Sequence, residues 1–202
     1  MGTPANGRLE GGVCLPASGP GFVTYSTVGR ALGRQYVHSA VRDTLLDAFA
    51  ARAGAEPGRV FVMGETGWRH GGRFRPHRTH QNGLSVDIFM PMRDAAGSPA
   101  VLDTGSAARF GYCLELDAEG RLGTLRIDFE ALAALLLELD RAGRLHGLTV
   151  AKVIVAPEYV PLVLGTPSGA RLGRLETAFL RTPAWVRHDE HLHVDFALAA
   201  PR

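Results

Sequence analysis

The stretch His191-Leu192-His193-Val194-Asp195-Phe196-Ala197-Leu198 alternates polar and apolar side chains as far as Phe196. In a β-strand, residues i and i+2 share a face. Leu192, Val194 and Phe196 therefore form a core face, while His191, His193 and Asp195 face a cleft. A second stretch, Leu84-Ser85-Val86-Asp87-Ile88-Phe89-Met90, reads the same way. Val86 and Ile88 point inward and Asp87 points to the opposite side. Laid side by side, the two strands bring Asp87 and His193 together. The expected architecture is α+β: a small antiparallel sheet carrying the functional residues, flanked by helices and long loops.

The remaining elements follow from periodicity. His38 to Ala53 reads as an amphipathic helix, with Val41, Leu45, Leu46, Phe49 and Ala53 at helical spacing. Asp128 to Arg141 is a second helix, with Asp128 as N-cap and Gly143 as the stop signal. Arg59 to Met63 and Leu148 to Val155 read as strands, and Pro157 to Leu164 as a short helix. Residues 1–27 are Gly- and Pro-rich and irregular. Glu65 to Gly83, rich in Gly, Arg and His, forms a long loop of the kind that often carries function.

The chain has 202 residues, 46% of them hydrophobic, which suits one domain with a real core. Its 22 basic and 20 acidic residues leave a net charge of +2, too balanced to indicate nucleic acid. Lys152 is the only lysine. No apolar run approaches the ~18–20 residues of a membrane span. The N-terminal residues show no signal-peptide core, which keeps export by another route and residence in the cytoplasm both open. Cys14 and Cys113 permit one disulfide or two free thiols.

Six of the eight histidines lie in two clusters: His70, His77 and His80, then His188, His191 and His193. His80 and Asp87, with His193 on a strand far along the chain, supply two imidazoles and a carboxylate. That set leaves one position open on a zinc ion, as catalytic zinc requires. There is no His-Glu-x-x-His motif, so the general base must be another group. His191 shares a face with His193 and suits that role, with its use as a ligand the alternative. His77 and His188 each lie three residues before a functional histidine. They are candidates to bind substrate, steady an oxyanion or orient ligands. Arg73 is a candidate for a substrate carboxylate, Glu65 for a histidine partner, and Trp68 and Trp185 for groove walls. His70 and His146 carry no expected role.

The motifs Gly71-Gly72-Arg73-Phe74, His77-x-x-His80-Gln81-x-Gly83-Leu84-x-Val86-Asp87-Ile88 and His188-x-x-His191-x-His193-Val194 resemble those of the penicillin-insensitive murein endopeptidases. These belong to the wider lysostaphin and D-alanyl-D-alanine metallopeptidase group. The resemblance implies zinc on His80, Asp87 and His193, His191 as base, and hydrolysis of D-alanyl–diaminopimelate cross-links in peptidoglycan, outside the cytoplasm. Ser85 stands where family members often carry an acidic residue, and the family's several cysteines are reduced to two. Competing readings are a zinc D,D-carboxypeptidase or dipeptidase on the same site, a zinc-containing wall-binding module without catalysis, and an intracellular zinc protein. No Ser-x-x-Lys motif is present, so a β-lactam-sensitive serine enzyme is not expected.

Overall fold

Alternation along the two histidine- and aspartate-bearing stretches builds the centre of the molecule. The structure, a computed structural model, describes residues 2–182, 184 and 186–199. Six strands form the main sheet: β1 (Ser18–Gly19), β2 (Phe22–Thr24), β3 (Phe61–Met63), β4 (Ser85–Phe89), β5 (Leu148–Ile154) and β6 (His191–Leu198). Their order is β5-β6-β4-β3-β2-β1. Neighbours are antiparallel except β2 and β3, which run parallel. The sheet is thus mixed rather than purely antiparallel. Residues 1–27 are more ordered than their Gly and Pro content indicates, because β1 and β2 extend the sheet edge and Gly2–Thr3 pairs with Asn6–Gly7.

Strand β6 lies between β5 and β4, with both edges paired. In register, His193 faces Asp87 across the β6–β4 ladder, His191 faces Phe89, and Asp195 faces Ser85. The inward face is Val86, Ile88, Leu192, Val194 and Phe196, each at most 2% exposed. Such side chains contribute roughly 1.5–3 kcal/mol apiece on burial. They join one core with helix α3 (Phe129–Leu145), which packs on β5 and on helix α2 (Ser39–Ala55).

The caps explain where these helices begin. His38 is the N-cap of α2, its Nδ1 accepting from the Ala40 amide. Asp128 caps α3 by accepting from the Ala131 amide at 3.1 Å. Its other oxygen pairs with the fully buried Arg59, which also binds the Met92 carbonyl at 2.8 Å. Helix α3 does not stop at Gly143. That glycine is buried inside the helix, and the chain turns out at Gly147, with φ +72°. The packing of α3 on β5 outweighs the roughly 1 kcal/mol helix penalty of an internal glycine. A four-stranded satellite sheet lies beside the main one. Cys14 and Cys113 are both free thiols.

Candidate active site

The open face of β4 and β6 carries a buried carboxylate surrounded by imidazoles. Asp87 is fully buried. Burial would raise its pKa, but His80, His191 and His193 outweigh that and hold it well below the usual range. Its two oxygens have separate surroundings. His193 Nδ1 approaches Oδ1 to 2.9 Å and His80 Nε2 to 3.2 Å. Around Oδ2 stand Tyr112 Oη at 3.4 Å, His77 Nδ1 at 3.6 Å and His191 Nε2 at 3.8 Å.

His80 arrives from the Glu65–Gly83 loop. Its backbone has φ +66°, a conformation a non-glycine residue holds only when its surroundings impose it. Gly83, at φ +73°, makes the turn into β4; a Cβ there would lie 2.8 Å from the His38 amide nitrogen. His80 Nδ1–H donates to the Thr66 carbonyl at 3.1 Å, so the lone pair of the ring sits on Nε2. That nitrogen is buried and has no hydrogen-bond partner. Burial, only partly offset by Asp87, lowers the His80 pKa, so the ring is neutral near pH 7. A lone pair thus faces a carboxylate oxygen, an arrangement that a cation between them satisfies. For ligand arms of 2.0–2.2 Å, tetrahedral donors lie about 3.3–3.6 Å apart. The separations at Asp87 Oδ1, 3.2 Å to His80 and 2.9 Å to His193, are shorter than that.

His193 is backed from behind. Its Nε2 bonds Asp195 Oδ1 at 2.8 Å, and Ser85 donates to the same oxygen at 2.6 Å. Burial lowers the His193 pKa, but Asp195 and Asp87 carry it up to about 9. A cation at Nδ1 would replace the proton held there against Asp87. Ser85 therefore anchors the carboxylate that stands behind His193.

His77 is held on the other side. Glu65 Oε2 accepts from its Nε2 at 2.7 Å, turning Nδ1 toward Asp87. Arg34 grips Glu65 with two nitrogens, and Tyr25 donates to it at 2.8 Å. Although burial would raise the Glu65 pKa, Arg34 and His77 bring it down to about 2. Among the described residues, His77, His80 and Asp87 form a group that could hold a metal ion, with ligand atoms within 4.8 Å of one another. His77, placed outside the ligand set on sequence grounds, is thus a donor candidate beside His193. His193 Nδ1 lies nearer Asp87, at 2.9 Å, than His77 Nδ1 does, at 3.6 Å, and it is hydrogen-bonded there.

His191 donates from Nδ1 to Glu190 Oε1 at 3.0 Å, leaving Nε2 for the groove. Burial lowers its pKa, and Asp87 and Glu190 more than offset this, so the net shift is upward. His188 has φ +55° and donates from Nδ1 to the Val186 carbonyl at 2.8 Å. Burial first, then His191, brings it down to about 4, so it stays neutral and presents an acceptor nitrogen. Both histidines, with His77 and His193, line a groove of about 410 Å³.

Other residues singled out from the sequence sit elsewhere. Trp68 is not a groove wall. It packs edge-on against Phe74, donates to the Arg73 carbonyl at 3.2 Å and lies under Arg34. The Arg73 side chain is exposed and does not line the groove. Trp185 lies outside the described residues. His70 is exposed, and His146 caps α3 while pairing with Asp47. Tyr25 and Arg34, which hold Glu65, were not foreseen, and neither were Glu190 and Tyr112. Glu190 is a carboxylate adjacent to His191, a signal the strand alternation obscured by drawing attention to His193 and Asp195. Tyr112 sits in a loop, and nothing local announces that its hydroxyl accepts from the Glu65 amide at 2.7 Å and donates to Asp87.

An α+β fold that sets imidazoles around one buried carboxylate, beside a groove that His77, His188, His191 and His193 line, presents a donor group able to hold a metal ion. Comparison with protein families goes further: residues 1–109 match the penicillin-insensitive murein endopeptidases, and the chain belongs to that family of peptidases. The matched segment contains His77, His80 and Asp87. No curated protein matches the chain.

Proposed function

We propose that this protein is a zinc-dependent D,D-endopeptidase that hydrolyses D-alanyl–diaminopimelate cross-links of peptidoglycan, acting in the periplasm or otherwise outside the cytoplasm. The observation that carries the metal assignment is the orphaned His80 Nε2, buried 3.2 Å from Asp87 Oδ1. In this reading His80 Nε2, Asp87 and His193 Nδ1 hold the ion. Bound zinc supplies Lewis acidity, polarising a peptide carbonyl and bringing the pKa of water toward ~7.

The protein's own groups do the rest. Asp195 holds the His193 ring in the tautomer that frees Nδ1. His191 Nε2 takes the proton from the attacking water and returns it to the leaving amine, with Glu190 fixing the ring from Nδ1. His188, neutral and with Nε2 free, accepts a hydrogen bond from a substrate N–H or from the water. His77, its Nε2–H given to Glu65, stands on the far side of Asp87 with Nδ1 as an acceptor for a substrate N–H or as a further ligand.

Paired variants test the division of labour. His191→Ala should retain zinc by elemental analysis while losing ~10²–10⁴ in kcat, the usual cost of a general base. His193→Ala should lose zinc and activity together. If His191→Ala empties the site as fully as His193→Ala, then His191 is a ligand and the assignment falls.

A further inference from the structure

The run of chain into β6 sends side chains two ways. Val186, His188 and Glu190 line the groove, while Arg187 and Asp189, between them, do not. These two instead hold another segment. Leu116, which is buried, gives its N–H to Asp189 Oδ2 at 2.7 Å, and its carbonyl accepts from Arg187 Nη1 at 2.6 Å. Arg187 also binds Asp189 Oδ2 at 3.2 Å and, through Nη2, Glu158 Oε1 at 2.7 Å, where helix α4 (Tyr159–Leu164) begins. The residue after Leu116 is fixed as well, since the Asp117 carbonyl accepts from Tyr159 Oη at 2.7 Å. The solvent-facing pair of Arg187 with Glu158 contributes little alone. The bonds to Leu116 weigh more, because a buried amide and carbonyl have no water to replace a lost partner.

A few residues before Leu116, the same loop carries Tyr112, whose ring meets His191 edge-on with centroids 5.1 Å apart. Tyr112 also packs edge-on against Phe89 at 5.0 Å and Tyr25 at 5.8 Å. Tyr25 is backed in turn by helix α1 (Thr27–Ala31), whose Gly29 leaves no room for a Cβ beside the phenol oxygen. The single hydrogen bond from His191 Nδ1 to Glu190 lets the imidazole rock about it, and the Tyr112 edge limits that motion. We propose that Arg187 and Asp189 are positioning residues: by clasping Leu116 they hold the Tyr112 ring against His191 and so set the direction of its Nε2. This role rests on the peptidase reading above, in which His191 is the base, and adds the residues that aim it.

The test uses the zinc-loaded protein and cross-linked peptidoglycan dimers, with Arg187→Ala and Asp189→Ala as the variants. Both should retain zinc and lose about tenfold to a hundredfold in kcat, the cost of aiming a reacting group slightly wrong, with KM moving by less than about threefold. Arg187→Lys and Asp189→Asn, which keep a partner for the Leu116 carbonyl and N–H, should recover most of the loss. Two readouts separate aiming from lost stability. The His191 ring protons, which feel the Tyr112 ring, should shift in the NMR spectrum of Arg187→Ala. They should stay in place in Arg141→Ala, an exposed arginine paired with Glu138 along α3. In a Tyr112→Leu background, the further kcat penalty of Arg187→Ala should fall below about threefold, because residues that act through one another are not additive. An unmoved His191 signal, or an Arg187→Ala penalty that is the same with and without the Tyr112 ring, overturns the proposal. If Tyr112→Leu does not fold, the His191 signal decides alone. If the native protein cleaves no dimer, the peptidase reading fails, and the His191 signal decides the clasp by the same criterion.

Discussion

Asp87 is the residue on which the site turns, because its two oxygens do different work. Oδ1 belongs to His80 and His193, and Oδ2 to Tyr112, His77 and His191. Tyr112 therefore acts as a positioning residue. Its hydroxyl ties Oδ2 to the Glu65 amide and leaves Oδ1 free to turn toward the two imidazoles. Tyr112→Phe should lower zinc affinity by about 10–100-fold, the usual effect of removing a partner behind a ligand. It should also cost roughly 1–3 kcal/mol of stability, since the Glu65 N–H loses its acceptor. Zinc competition titration and urea unfolding check the two effects. Glu190 gives a second prediction at this scale. Its carboxylate helps hold the His191 pKa up, so Glu190→Gln should shift the acidic limb of the kcat/KM profile to lower pH. An unmoved limb would show that Glu190 does not act through His191.

Among the elements, β6 was the most legible. Its alternation predicted the bounds His191–Leu198, the inward Leu192, Val194 and Phe196, and the meeting with Asp87, all of which the structure contains. A period of two leaves one residue little freedom to face either way. The first helix and the Asp128 cap were equally readable, because caps and periodicity are local. Gly143 misled because a local stop signal was overridden by packing on β5, which sequence neighbours do not encode. The hairpins within residues 1–27 are too short for a period of two to show, and the parallel β2–β3 pair depends on partners some forty residues apart. Tyr112 is hidden for the same reason: its role exists only through Asp87 and Glu65. The loop carrying His80 was legible in its Gly83, whose positive φ is required by both the turn and the nearby His38 backbone. Gly83→Ala should therefore destabilise by about 1–3 kcal/mol and reduce zinc retention, as read by thermal unfolding with and without added zinc. An unchanged melting temperature would show that the turn does not constrain the site.

For the whole molecule, acid sensitivity should follow Glu65. Its pKa falls from 4.5 to about 2 in the fold, despite burial, because Arg34 and His77 bind the ionised form. A depressed carboxylate stabilises the folded state above its unfolded pKa, and the contribution disappears as pH falls through the folded value. The contribution at pH 7 is roughly 3 kcal/mol on the scale of 1.36 kcal/mol per pKa unit. Glu65→Gln should be less stable than the native chain near pH 7, and the gap should close between about pH 4.5 and pH 2. Urea unfolding across that range checks it, and a gap independent of pH would mean that packing rather than charge holds the network.

The most direct test of the account is mass analysis of the products formed from purified cross-linked peptidoglycan. The zinc-loaded protein should convert cross-linked dimers to monomers by opening the D-alanyl–diaminopimelate bond. A chelator should stop the conversion and restored zinc should revive it, while penicillin should leave it unchanged. Dimers that persist intact with the zinc-loaded protein, or cleavage that continues undiminished in the chelator, would contradict it.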